Sequence, residues 1–180
     1  MTGPAPDRIY VPLDTPDLEK ALDISARLKG LIGGVKVGKE FFTALGPAGV
    51  ADISALGMPL FTDLKFHDIP NTVAGAVRSA MRMKPVILNV HAAGGRAMMA
   101  AARDAAAEEA DKLGCARPLV LAVTVLTSLD DQDLNDIGVP GGTLEQVRRL
   151  ARLTQESGLD GVVCSAAEIA ALRKECGPDF

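Results

Sequence analysis

Two hydrophobic rhythms take turns along this chain. Short, continuous apolar runs stand at residues 9–13, 35–38, 60–64, 86–90, 118–125 and 160–164, and between them lie stretches whose apolar residues recur every three or four positions. The runs read as buried strands and the spaced stretches as amphipathic helices. Thr15-Pro16-Asp17 opens the first helix, with Thr15 as the capping residue and Pro16 after it, and Leu18, Leu22, Ile24 and Leu28 carry its apolar spacing to Gly30. A second helix over residues 39–56 is interrupted near Gly46-Pro47, and a third covers 69–83. Gly94-Gly95 starts an alanine-rich helix that runs to Leu113. A short turn at 131–136 precedes a helix over 144–157, capped by Gly141-Gly142-Thr143, and Ser165 caps a last helix that ends near Cys176-Gly177.

Strand and helix thus alternate, and the strands are apolar throughout, which is the pattern of a parallel sheet covered on both faces. An open, doubly wound sheet and a closed barrel both satisfy it. A dinucleotide-binding open sheet requires Gly-x-Gly-x-x-Gly after its first strand, whereas here Asp14-Thr15-Pro16 follows. A barrel requires polar residues at the C-terminal end of successive strands, where the loops build one site. Asp14, Lys36, Asp63 with Lys65, His91 and Thr127 all fall there. The predicted fold is an α/β TIM (β/α)8 barrel, of which the chain supplies about the first six βα units as one domain over residues 1–180.

Composition removes several classes of function. At 180 residues the chain is long enough for one sizeable core and short for two. Its formal charge of −4 gives no basic footprint for nucleic acid. Cys115, Cys164 and Cys176 lack metal-ligand spacing and are odd in number, so reduced thiols and a cytoplasmic location are expected. Residues 1–7 are proline-rich without the apolar core of a signal peptide, and no apolar run is long enough to span a bilayer.

The chemistry concentrates at residues 60–72. Asp63 and Lys65 are two apart on a strand, so both project to one face at its end. A surface salt bridge with no chemistry is the plain alternative. Lys36 lies within an apolar run, which is costly unless the amine is paired or used. Converging at one barrel mouth, Asp14, Lys36, Asp63 and Lys65 would form an alternating network in which each charge holds the next ionised. Such a site suits a reaction that makes or removes negative charge, with a lysine as proton source. Asp14, Asp63 and Asp68 are also hard oxygen ligands of the kind magnesium takes, but two lysines in the same shell already supply positive charge. Neither His67 nor His91 belongs to a zinc pattern; His67 reads as an exposed loop residue and His91 as a hydrogen-bonded residue at a strand end. No Gly-x-Ser-x-Gly elbow supports a serine nucleophile.

The segment Asp63-Leu64-Lys65-Phe66-His67-Asp68-Ile69-Pro70-Asn71-Thr72, with Val35-Lys36-Val37-Gly38-Lys39-Glu40, resembles orotidine 5′-phosphate decarboxylases of the bacterial type. The similarity continues through Asn89-Val90-His91-Ala92, residues 122–128 and Gly161-Val162-Val163-Cys164-Ser165, over nearly the whole chain. It implies a homodimer of barrels with shared active sites that converts orotidine 5′-phosphate to uridine 5′-phosphate (UMP), without cofactor or metal. Carried over by position, Lys36, Asp63 and Lys65 form the catalytic array, and Asp68 enters from the other subunit. Asp14 meets a ribose hydroxyl and Thr127 the pyrimidine edge, with Ser128 the second choice for that contact. Ile69 and Thr72 reach across the interface beside Asp68. Pro12 stands where an alanine is more usual. The family barrel has a seventh strand with a phosphate-contacting loop and an eighth ending in a Gly-Arg pair, and neither has a counterpart in residues 1–180. Two alternatives stay open: a magnesium-dependent sugar-phosphate decarboxylase of the same superfamily, and an inactive fragment.

Overall fold

The structure, a computed structural model, describes residues 5–180. The reading of residues 1–7 as free of a signal sequence therefore falls, at residues 1–4, outside the described residues. Six strands form one sheet: β1 (Tyr10–Pro12), β2 (Gly34–Gly38), β3 (Leu60–Phe66), β4 (Ile87–His91), β5 (Leu119–Val123) and β6 (Gly161–Val163). All five pairings are parallel and the spatial order is the sequence order. A doubly wound sheet reverses its order at a switch point, and this one does not, so the topology is that of the TIM barrel over six of its units.

The helices follow their strands: α1 (Leu18–Leu28), α2 (Lys39–Ser54), α3 (Pro70–Met81), α4 (Gly95–Leu113), α5 (Asp131–Asp136), α6 (Thr143–Glu156) and α7 (Ile169–Cys176). No helix among the described residues is long and apolar enough to cross a membrane. The predicted break in α2 is real: Gly46 sits at φ 62°, which glycine tolerates, ahead of Pro47. Two caps differ from expectation. Asp17, not Thr15, caps α1, its carboxylate accepting from the Lys20 amide at 3.1 Å. A charged acceptor satisfies the helix N-terminus and its dipole together, and the Thr15 hydroxyl instead accepts from the Asp17 amide. Ser165 caps a 3₁₀ turn, Ala166–Glu168, from which α7 then continues.

Side-chain alternation along each strand separates two environments. Val35, Val37, Leu60 and Leu64 face the helices and pack with Phe41, Val50 and Ile53 of α2. Leu88, Val90, Val120 and Ala122 do the same with α3, α4 and α6, where the alanines of α4 let helices approach closely. Each fully buried large side chain here contributes about 1.5–3 kcal/mol. The alternate positions, Tyr10, Lys36, Phe61, Asp63, Asn89 and His91, point the other way, into the barrel interior, where Tyr10 and Phe61 meet edge to face.

At the opposite, N-terminal end of the strands, Arg117 grips Asp160 with two hydrogen bonds of 2.8 and 2.6 Å, and the same carboxylate accepts from the Val120 amide at 2.7 Å. This ties the entry of β5 to that of β6. Burial alone would push the Asp160 carboxyl up, but the Arg117 and Val120 hydrogen bonds outweigh it and hold the group below its ordinary range. Its contribution is therefore present at neutral pH and lost as pH falls through that lowered value. Asp160→Ala is expected to destabilise the protein by about 2 kcal/mol at pH 7. Urea unfolding of both proteins checks this, and the gap must close as pH drops below 4; a gap unchanged at pH 3 would show that the ion pair is not its source.

Candidate active site

β2 and β3 lie side by side with Lys36 opposite Phe61 and Gly38 opposite Asp63. This register carries the Lys36 amine to the Asp63 carboxylate, 2.8 Å from Oδ2. Lys65 approaches the other oxygen, Oδ1, at 2.6 Å. The route is not the simple alternation expected of a strand. Lys65 has φ 52°, in the left-handed region, and the β3–β4 ladder shifts register between Thr62 and Phe66. The bulge turns the Lys65 side chain back toward Asp63. Asp63 itself is 7% exposed, so its charge is carried almost wholly by these partners.

A third partner was missed by sequence reasoning. Asn89 of β4, fully buried, donates from Nδ2 to Asp63 Oδ1 at 2.6 Å and accepts the Lys65 amide on its Oδ1 at 2.8 Å. The signal was available, since Asn89 is the one polar residue in an otherwise apolar run. Burial would raise the Asp63 pKa, but hydrogen bonds from Lys36, Lys65 and Asn89, and the Lys36 charge, bring it below the ordinary carboxylate range.

Gly38 was also overlooked. A Cβ placed there would lie 3.1 Å from Asp14 Oδ1 and 3.9 Å from Lys36 Nζ. Its bare Cα therefore leaves both groups facing the same space, and Asp14 stays exposed beside the array.

The remaining predicted residues stand around the rim. Asp68, Ile69 and Thr72 are exposed at the start of α3, with Asp68 accepting the Ile69 amide at 2.7 Å and making no ion pair among the described residues. Thr127 and Ser128 are exposed in the loop after β5. His67 is exposed as expected. His91 is half-buried and takes no hydrogen bond on its ring among the described residues; it packs on His67 with ring centroids 5.4 Å apart. Burial first, then the nearby His67, Lys39 and Lys65 charges, hold its pKa below the usual histidine value against the pull of Asp63. The mouth is thus rich in basic groups, although the chain is acidic overall. An apolar cavity of about 190 Å³ lies elsewhere, between α2 and α3, lined by Phe42, Leu64 and Met83 without any titratable group.

This arrangement, one carboxylate clamped between two strand-borne lysines, can be set beside known proteins. The family model for "Orotidine 5′-phosphate decarboxylase / HUMPS family" matches residues 7–180. The chain belongs to that family. Orotidine 5′-phosphate decarboxylase of Rhodospirillum rubrum is 58% identical over 173 residues, covering 96% of this chain and 70% of the relative. The Moorella thermoacetica enzyme of the same name is 52% identical over 177 residues, again 70% of its length. Among solved structures, orotidine 5′-phosphate decarboxylase from Lactobacillus acidophilus superposes with a TM-score of 0.88 at 35% identity, covering 96% of this chain and 77% of that one. An uncharacterized conserved protein from Geobacillus kaustophilus superposes equally well, at 0.88 and 42% identity, over 95% of this chain and 80% of its own.

Asp63 is expected to titrate below its ordinary value of 3.8, and Lys36→Met to raise it, in carboxylate-detected NMR. Any stability linked to Asp63 is then present at neutral pH and lost only in acid. An Asp63 carboxyl that titrates at or above the ordinary value in the parent chain contradicts the clamp.

Proposed function

We propose that this chain decarboxylates orotidine 5′-phosphate to UMP with Lys36, Asp63 and Lys65 as its charge array. The observation that carries the reading is the Asp63 carboxylate held between two ammonium groups inside the barrel mouth. The array carries net positive charge before substrate arrives, which suits an anionic ligand. A substrate carboxylate lying against Asp63 about 4 Å away is repelled by roughly 4 kcal/mol at an effective dielectric near 20. That repulsion is relieved as the carbon–carbon bond breaks and carbon dioxide leaves. The electron pair stays on the ring carbon, and the Lys65 ammonium, beside Asp63, gives it a proton. Lys65 then recovers its proton from solvent.

Asp14 accepts from a ribose hydroxyl, and Thr127, with Ser128 behind it, meets the pyrimidine edge. Asp68, with Ile69 and Thr72, serves the neighbouring protomer's site in an isologous homodimer. Their exposure at the rim, with Ile69 at 66%, leaves them available for that contact. The full barrel on this reading takes eight strands, and the phosphate grip belongs to the last two. A cytoplasmic location is part of the same reading and rests on the three free cysteines. A magnesium-dependent sugar-phosphate reaction would need Asp63 as a metal ligand, yet both its oxygens already face ammonium groups. Turnover of orotidine 5′-phosphate, followed with and without a chelator, separates the two chemistries.

Two outcomes are expected. Lys65→Ala loses about 10³-fold in turnover, within the range for a general acid, while its melting temperature stays near that of the parent; turnover within tenfold of the parent removes Lys65 from this role. Inactive Lys65→Ala chains mixed in equal amounts with inactive Asp68→Ala chains recover about a quarter of parental activity, because half the dimers are mixed and each holds one intact site. No recovery after demonstrated subunit exchange places Asp68 in its own chain's site.

A further inference from the structure

The β3–β4 ladder is regular up to Thr62 opposite Leu88 and resumes at Phe66 opposite Val90. Between these pairs β3 carries Asp63, Leu64 and Lys65, while β4 carries Asn89 alone. The mismatch leaves the Lys65 amide without its ladder partner, in a residue whose φ of 52° is already unfavourable for a side chain other than glycine. The Asn89 side chain fills the gap: its oxygen takes the Lys65 amide at 2.8 Å and its amide nitrogen reaches Asp63 Oδ1 at 2.6 Å.

We infer that Asn89 is a positioning residue for the decarboxylation, fixing at once the backbone that carries the Lys65 amine and the rotation of the Asp63 carboxylate. Both functions follow from its two-ended amide. The acceptor end pins the bulge at the residue that donates the proton. The donor end shares Oδ1 with Lys65, leaving Oδ2 to Lys36, so the carboxylate plane cannot turn without breaking a bond. Asn89 is fully buried on β4 and already lies between the two groups it holds. An apolar side chain of the same size would leave a buried amide and one carboxylate lone pair unmet, and the lysine would sample other positions. Misplacement of about 1 Å costs on the order of 10²-fold in rate.

This inference rests on the proposed decarboxylation, and its test has a part that does not. Hydrogen exchange at the Lys65 amide, measured without substrate, is expected to speed up at least tenfold in Asn89→Leu while β2 and β5 amides stay protected. Steady-state turnover of orotidine 5′-phosphate is expected to fall about 10²-fold in kcat with KM changed less than threefold. Asn89→Asp supplies the sharper readout. Its new carboxyl, beside Asp63, takes a raised pKa as one of a like-charged pair. Protonated, it imitates the amide, with an O–H toward Asp63 and a carbonyl toward the Lys65 amide. Its kcat should therefore be partly restored at low pH and fall about tenfold per pH unit above that pKa, a limb absent from the parent.

If Asn89→Leu does not fold, Asn89→Asp alone decides, since its low-pH form keeps both hydrogen bonds. Unchanged Lys65 exchange, a KM effect with parental kcat, or a parental pH profile in Asn89→Asp would each overturn the assignment. A parent chain that does not turn over orotidine 5′-phosphate would instead overturn the decarboxylase reading, with the exchange experiment still judging whether Asn89 holds Lys65.

Discussion

Everything at the mouth of this sheet depends on keeping one carboxylate charged where water is scarce. Burial of Asp63 works against its charge, and three donors from three strands reverse that preference: Lys36 from β2, Lys65 from β3 itself and Asn89 from β4. A lone ion of this kind in a low-dielectric setting would take up a proton. The sheet makes the charge tolerable only because parallel register brings all three strands' ends to the same height. Fold and site are in this sense one problem, and the helix-facing apolar positions of the same strands supply the rigidity that keeps the donors in range.

Much of this was legible before any coordinate. The six apolar runs became six strands, and the polar residues at their ends became one mouth, because side-chain period and strand order in a parallel barrel leave little freedom. Lys36 within an apolar run and the Asp63-Leu64-Lys65 spacing marked the array. Other features were hidden. The capping choice at α1 turned on the small difference between two adjacent oxygen-bearing residues, Thr15 and Asp17. The left-handed turn at Lys65 has no signature, because lysine is not a residue that favours such backbone. Asn89 was visible as an oddity in its strand, but its meaning depended on the ladder being broken opposite it, which is a fact of pairing between strands rather than of either strand alone.

The rim behaves differently from the array. Among the described residues, Asp68, Ile69, Thr72, Thr127 and Ser128 make no hydrogen bond or ion pair to Lys36, Asp63 or Lys65, and their placement follows from loops and a helix start whose outward faces are solvent-exposed. Sequence resemblance singled them out, and the fold sets them at the rim, where Asp68 accepts from the neighbouring Ile69 amide. The array and the residues proposed for the rim thus differ in physical character: a buried, over-determined charge cluster on strands, and an open set of polar and apolar side chains on the segments that follow them.

The positive φ at Lys65 sets backbone preference against the proton-donor role proposed for this residue. Left-handed backbone costs a residue with a Cβ about 1–2 kcal/mol, a cost that glycine escapes and asparagine partly escapes. On stability alone, drift at this position would lead away from lysine. Selection for stability without selection for activity would be expected to empty this site first, so persistence of lysine here in a population of variants would itself be a record of use.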